Sequence, residues 1–412
     1  MLRNALEGLV VIDFTQIGAG PTCTMLLADM GAEVIKVEPP QGELGRTLGP
    51  GWIGDDSALY WGFNRNKQGL ALDLKRPDGL AVAQRLVCHA DVVVESMRPG
   101  VMQRLGLGFD DVASTNAGLI YCSISAYGQT GPCRDHAGVD GILQADTGLM
   151  SLIGSEGSEP GKVQAPIVDV VTGYIACTGV LAKLAQRARD GQGGHLDVNL
   201  MNSALALQQS SITSYLANGE LPSKIGSAAP YSAPNEAFET ADGWVMIAAY
   251  NGNRWERLCE VLGVPKLLED ERFGTSSKRV ANRESMREIL TAAFRTRQTH
   301  EWLERMRKAD ILCARVSTYA DLEEHPQVAA NSMIASIAHP TLGKVRMPGF
   351  PINSVESNAQ PHAPAPCLGE HSREVLRRSG FEQTEIERLV DDGVVVAARP
   401  CAPSARGAAC PR

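Results

Sequence analysis

Four short apolar runs recur through the first 125 residues: LVVIDF at 9–14, AEVIKVE at 32–38, DVVVE at 91–95 and LIYCSIS at 119–125. Each is rich in β-branched residues and lacks the alternation of a half-exposed strand, so each suits a strand covered on both faces. Helical stretches separate them. Gly18, Gly20 and Pro21 break the first run, and a proline there fits the first turn of a helix. Residues 22–30 then read as helix, closed by Gly31 as a C-terminal cap. A further strand at 70–74 precedes a helix opened by Pro77. Strands joined by helical crossovers of this length form a parallel sheet wrapped on both faces. The expected fold class is α/β, with a Rossmann-like parallel sheet in a large domain and a smaller α+β domain.

Further along, a long helix is expected at 170–189, closed by Gly191, then a strand at 195–200 and a second long helix at 202–217. At 218–232 the pattern lapses into Gly, Ser, Pro and Lys, as in a linker. EAFETADGWVMIAAY at 236–250 reads as two strands around Asp242-Gly243, and amphipathic helices follow through Lys308. Residues 312–400 return to mixed strands, with helix at 371–389. The organisation expected is a large domain over 1–220, a small α+β domain with its linker over 221–325, and a return to the large domain over 326–398. Residues 399–412 (RPCAPSARGAACPR) have no periodicity and are expected to be a disordered tail.

Charge and cysteine usage narrow the function classes. The chain carries 39 Lys and Arg against 47 Asp and Glu, a formal net charge of −8. That lacks the basic footprint of a nucleic-acid partner. The opening MLRNALEGLVVIDF shows no secretory signal, and no apolar run reaches the ~18 residues a membrane span needs. Ten cysteines are scattered without CxxC pairs or zinc spacing, so reduced thiols, no metal and a cytoplasmic setting are expected. The 41 glycines exceed the usual ~7% and hint at tight turns and close backbone approaches.

Gly18-Ala19-Gly20 after a strand, with Glu38 ending the next, imitates a dinucleotide-binding fingerprint. The third glycine falls on Cys23, and Pro21 removes an N–H that a pyrophosphate would use. An NAD-dependent dehydrogenase therefore stands only as an alternative to a tight βα turn beside some other ligand. Asp169 stands out for its neighbours Ile167, Val168, Val170 and Val171, where the long helix begins. A lone carboxylate among aliphatics is costly to bury. A helix N-terminus offsets that cost with N–H groups and the positive end of the dipole. Asp169 reads either as a simple N-cap or as a functional carboxylate.

Larger blocks are more specific. LEGLVVIDFTQIGAGPTCTMLLADMGAEVIKVEPP at 6–40, NRNKQGLALDLK at 64–75, ADVVVESMRPGVMQRLG at 90–106 and SAYGQTGPCRDHAGVDGILQADTG at 125–148 occur in order. PIVDVVTG at 166–173, the segment 187–198 and LGEH at 368–371 follow. Together they resemble the class III CoA-transferase family, which includes formyl-CoA transferase, carnitine CoA-transferase and α-methylacyl-CoA racemase. The resemblance covers nearly the whole chain except its end. It implies a two-domain fold, two ring-like subunits interlocked as a homodimer, and acyl-CoA and carboxylate substrates, with coenzyme A carried and no metal.

On that resemblance, Asp169 falls on the family's catalytic aspartate. The family mechanism implies attack of Asp169 on the donor thioester, an aspartyl anhydride, an aspartyl-CoA thioester, and transfer of CoA to an acceptor carboxylate without ATP. CoA carries three phosphate groups, for which Lys75, Arg98 and Arg104 are candidates in loops after expected strands. Lys75 and Arg104 match family CoA contacts, whereas for Arg98 a plain surface charge is the equal alternative. Ile17, Gly18 and Ala19 match the loop along the pantetheine and thioester, and Leu72, Ser96 and Met97 complete the expected cofactor-binding set. Asp140 matches an acidic site residue, with a helix cap as the alternative. Two departures weaken the match: Gly18 stands where some members have Gln, and Pro39 where some relatives have a basic residue.

The racemase branch carries a Gly-His-Asp motif, and here the run is Gly138-Val139-Asp140, with His136 as the nearest histidine. Valine cannot carry a proton, so a racemase is the alternative rather than the expectation. The formyl-CoA transferase glycine loop is absent at 248–253 (AAYNGN). The expected activity is transfer of CoA from an acyl-CoA, with succinyl-CoA as a candidate donor, to a small organic acid or dicarboxylate.

Overall fold

β1 (Val10–Phe14) runs into α1 (Ala19–Asp29) and returns as β2 (Glu33–Glu38) in the computed structural model, which describes residues 2–352 and 362–397. β3 (Gln68–Leu72), α2 (Pro77–Cys88), β4 (Val92–Glu95) and β5 (Ile120–Ser125) follow. α3 (Asp140–Asp146), α4 (Ile167–Asp190), β6 (Gly194–Asn199), α5 (Leu200–Leu207) and α6 (Gln209–Asn218) come next. β1 to β6 are all parallel, in the order β3-β2-β1-β4-β5-β6, and a short strand, Val395–Val396, adds antiparallel to β3. This is the order of doubly wound α/β folds, whose connections reverse direction between β1 and β4.

The unbroken apolar runs follow from this sheet. Alternate side chains of one strand enter different cores. Ile12, Phe14, Ile35 and Val93 pack with Val82 and Leu86 of α2, while Val11, Val34, Val92 and Val94 pack with Leu26 of α1 and Val168 of α4. Every residue of α1 is buried. α4 meets it through Gly173, where a Cβ would lie 2.7 Å from the Ala19 carbonyl oxygen, so the glycine permits the close approach.

The chain forms two compact units. One comprises Met1–Leu149, Lys162–Gly219 and the described residues from Pro326 onward; the other comprises Met150–Gly161 and Glu220–His325. Residues 150–161 thus group with the second unit and not with the chain on either side of them. The second unit holds an antiparallel sheet of β7 (Asn235–Glu239), β8 (Trp244–Ala248) and β9 (Leu312–Arg315), in the order β9-β8-β7. Its core includes an aromatic cluster in which Phe294 stacks on Phe238 and meets Trp302 edge-on.

Several sequence expectations change. The single helix at 202–217 is two helices that break at Gln208, whose amide donates to the Thr147 carbonyl at 3.2 Å. The helix at 371–389 is also two, Ser372–Arg378 and Gln383–Asp391, with Gly380 at φ 78° between them. α4 is long and apolar enough, by length and composition alone, to cross a membrane. Its stripe Val168, Thr172, Ala176 and Val180 is nevertheless buried in the core, while other positions face out. Cys367 is disulfide-bonded, against the reduced state expected, whereas seven other described cysteines are free. The expected disordered tail at 399–412 lies outside the described residues.

Candidate active site

Side chains hold the turn between β1 and α1. Thr15 donates its N–H and hydroxyl to Asp13 Oδ1 at 2.8 and 2.5 Å, Gln16 N–H donates to Ser96 Oγ at 3.1 Å, and Ile17 N–H donates to Glu43 Oε2 at 2.7 Å. Lys36 Nζ donates to the Thr15 carbonyl and pairs with Glu43 Oε1, both at 3.0 Å. Burial alone would raise the Asp13 carboxyl, but Lys67, Lys36 and the hydroxyls of Thr15 and Thr24 outweigh it and bring the pKa to about 2. Ile17 sits at φ 70°, a left-handed conformation that a β-branched residue adopts only under strain.

That turn delivers Gly18, the N-cap of α1, against Asp169. A Cβ on Gly18 would overlap Asp169 Oδ2 and come within 2.9 Å of its Cγ and 3.0 Å of its Cβ. Gly18 therefore contributes space here, not a side-chain contact. Asp169 is the third residue of α4 and not its cap. The simple N-cap interpretation fails because another residue does that work. Asp140, the first residue of α3, reaches across so that Oδ2 accepts Val168 N–H at 2.8 Å and Asp169 N–H at 3.3 Å. Gln144 steadies it, donating to Asp140 Oδ1 at 2.6 Å and exchanging two hydrogen bonds with the Val163 backbone.

The Asp169 carboxylate accepts no hydrogen bond from any described residue, although its side chain is only 9% exposed. Burial, and then the neighbouring Asp140 charge, raise its pKa to about 7. The N-termini of α1 and α4 both converge on it, a field that favours an anion. Glu95, at the end of β4, is a second perturbed acid, raised by burial to about 7 while its Oε2 accepts Met97 N–H at 2.8 Å.

The remaining sequence candidates divide. Lys75, Arg98 and Arg104 are exposed and form no ion pair with described residues. Lys75 and Arg98 follow β3 and β4, whereas Arg104 ends a short helix, Val101–Arg104, rather than lying in a loop. Because these strands are parallel, their C-terminal ends share one edge, and β3 and β4 stand three strand spacings apart, roughly 15 Å. Ile17–Ala19 and Ser96–Arg98 follow β1 and β4, the two strands flanking the reversal point where such sheets bind ligands. Ser96 is engaged by Gln16, and Met97 packs partly on the core. The Leu72 side chain is buried in the core, so a ligand contact at this position would fall to its backbone. Glu38, the acidic position of the imitated dinucleotide fingerprint, is buried and bound twice by Arg46 at 2.7 Å, leaving it unavailable to a ribose. His136 is exposed beside Tyr127. Among the described residues, no group of three or more His, Cys, Asp or Glu is placed to hold a metal.

Sequence inspection missed Lys36, Glu43 and Gln144. Lys36 had a signal, a charge in the middle of an apolar buried strand. Gln144 had a weak one, its spacing four residues after Asp140 on one helix, whereas the contact of Glu43 with Ile17 joins residues 26 apart.

A buried, unbonded carboxylate at the reversal point of a parallel sheet, with free cations along the same edge, defines an α/β enzyme for an anionic ligand. Comparison with known proteins gives the family. The model of CoA-transferase family III matches residues 6–372. The chain is 35% identical to succinyl-CoA:glutarate CoA-transferase of Mus musculus, over 95% of this chain and 90% of that one. It is 36% identical to acetyl-CoA:oxalate CoA-transferase of Acetobacter aceti, over 87% and 91%. A CAIB/BAIF family protein from Brucella suis shares the fold, with a TM-score of 0.82 and 32% identity over 91% of this chain and 99% of that one. The chain belongs to CoA-transferase family III, a family that moves CoA between acyl-CoA thioesters and carboxylates.

Proposed function

We propose that the protein moves CoA from succinyl-CoA to a small dicarboxylate such as glutarate, with Asp169 as the nucleophile. The carrying observation is the Asp169 carboxylate itself: buried, accepting no hydrogen bond from the described residues, and facing the N-terminus of α1 across Gly18. The name of the Mus musculus relative supports the substrate pair.

In the first step a carboxylate oxygen of Asp169 attacks the thioester carbonyl and CoA leaves as thiolate, giving a mixed succinyl–aspartyl anhydride. The thiolate attacks the aspartyl carbonyl, releases succinate and leaves CoA on Asp169 as a thioester. The acceptor carboxylate displaces the thiolate to form a second anhydride, and the thiolate then attacks the acceptor acyl carbon and frees Asp169. First-turn N–H groups of α1 at Ala19 and Gly20 lack an intrahelical partner and suit the developing oxyanion. Lys75, Arg98 and Arg104 supply the positive charge that an acidic chain otherwise lacks for the CoA phosphates. Val139, standing where the racemase branch carries histidine, cannot act as that branch's second proton carrier, which favours transfer over racemisation.

The test uses hydroxylamine and mass spectrometry. Incubation with succinyl-CoA is expected to convert Asp169 to its hydroxamate, and an unmodified Asp169 during active turnover overturns the mechanism. A donor-by-acceptor screen then fixes the substrates, with glutarate expected among the best acceptors.

Assembly as a homodimer belongs to the same proposal. Tyr174 and Ile175 of α4, Leu205 and Leu207 of α5, and Tyr215 and Leu216 of α6 are all exposed, apolar side chains that a second copy of the chain would cover. Sedimentation equilibrium is expected to return twice the 44.1 kDa chain mass; a monomer at micromolar concentration refutes it.

A further inference from the structure

Behind the β1–α1 turn lies a buried charged cluster that the transfer mechanism does not use. Lys36 is fully buried and faces Glu43, Asp13 and Glu38; Glu38 is bound by Arg46, and Asp13 by Lys67. Burying so many charges is costly, and such groups persist where they specify a geometry. Only one member of this cluster touches the strained residue of the turn. Glu43 Oε2 accepts Ile17 N–H at 2.7 Å and Gly45 N–H at 3.3 Å, while Oε1 pairs with Lys36.

We propose that Glu43 is a positioning residue for CoA transfer: its carboxylate, fixed by Lys36, holds Ile17 in the left-handed conformation and so sets Gly18 and the N-terminus of α1 against Asp169. The chain of contacts is continuous, from Lys36 to Glu43 to the Ile17 N–H, and from Gly18 to the Asp169 side chain. An isoleucine does not rest at φ 70° by itself, so something must hold it there. Asp13, Ser96 and Lys36 secure Thr15 and Gln16, but the peptide entering Ile17 has Glu43 as its acceptor. Glu43 does not touch Asp169, and its effect reaches the chemistry only through the turn.

The inference rests on Asp169 reacting as described above, and its test separates the two. Glu43→Gln keeps an oxygen able to accept from Ile17 but loses the ion pair that aims it, while Asp13 and Glu38 still face Lys36 so that the fold survives. Misplacement by about an ångström at a reacting centre costs on the order of 10²-fold. Glu43→Gln is therefore expected to lower kcat between about ten- and a hundredfold while KM for succinyl-CoA stays within about threefold. Adding Ile17→Gly, which adopts the left-handed region without strain, is expected to restore much of the lost kcat. A kcat within twofold of wild type, a loss confined to KM, or no rescue by Ile17→Gly overturns the proposal. Hydroxylamine trapping at Asp169 is run on the same proteins. No adduct in wild type defeats the Asp169 mechanism, whereas an adduct that forms in Glu43→Gln at the wild-type rate defeats the positioning role alone.

Discussion

Asp169→Ala is expected to lower turnover by on the order of 10⁴-fold or more, because the neighbouring carboxylate, Asp140, already has both oxygens engaged by Gln144 and the Val168 and Asp169 N–H groups. CoA itself should still bind within about threefold of wild type, since the cations proposed for its phosphates lie on the sheet edge and not at Asp169. Near-normal turnover in this variant would sink the mechanism. The companion substitution Asp169→Asn probes the cost of the site. In the folded chain the carboxyl titrates near 7, against 3.8 without the surroundings. A raised folded pKa means the folded state holds the proton more tightly than the unfolded one. The stability tied to that proton is fully present below the unfolded value and is lost as pH rises through about 7. Asparagine cannot ionise, so Asp169→Asn should melt a few degrees above wild type at about pH 8, with the gap closing toward about pH 4. Calorimetry at the two pH values checks this, and an equal gap at both contradicts the assigned shift. The same titration predicts an acidic limb near pH 7 in the kcat/KM profile of the free enzyme, because only the carboxylate is nucleophilic.

Gly18→Ala should damage turnover through a single added methyl, because it lands on the Asp169 side chain. Gly18 does not occupy the left-handed region, so the steric contact is the effect at issue. Rotating the Asp169 side chain could move Oδ2 away, but its Cβ, 3.0 Å from the new methyl, moves only if α4 moves. Overpacking of this kind costs about 1–3 kcal/mol, more than the roughly 0.4–1 kcal/mol that a Gly-to-Ala change recovers by restricting the unfolded chain. Turnover is expected to fall about 10²-fold through misplacement of the carboxylate. Gly62→Ala, at a helical position with open space around it, is the control and should leave both stability and activity near wild type. Wild-type turnover in Gly18→Ala would mean that close contact does not place Asp169.

How much of this was legible in the residues varied with the range of the forces involved. The strands were, because an apolar β-branched run buried on both faces is a local pattern; β1, β2, β4 and β5 lie within a residue of the expected segments. Of the two helix breaks, Gly380 marks one locally, but the other has no such mark. Nothing local marks Gln208 as an interruption; its partner is the carbonyl of Thr147, 61 residues away. The burial of the Leu72 side chain was not legible for a related reason, since which way a strand-end leucine faces depends on what packs beneath it.

At the candidate site the same division holds. Asp169 drew attention by itself, as a carboxylate among aliphatics where a helix starts, and the ordered blocks that resemble the CoA-transferase family pointed to CoA chemistry. Hydrogen-bond directions and packing partners, in contrast, are set by atoms far apart in the chain. Only the tertiary structure made Asp140 the cap of α4, left the Asp169 carboxylate unbonded, and tied Ile17 to Glu43 and Lys36. Periodicity, turn residues and unusual residue types are written along the chain and determined the sheet, the helices that cover it and the candidate nucleophile. Desolvation and charge coupling arise only when distant segments exclude water together, so the environment that would make that carboxylate reactive belongs to the fold.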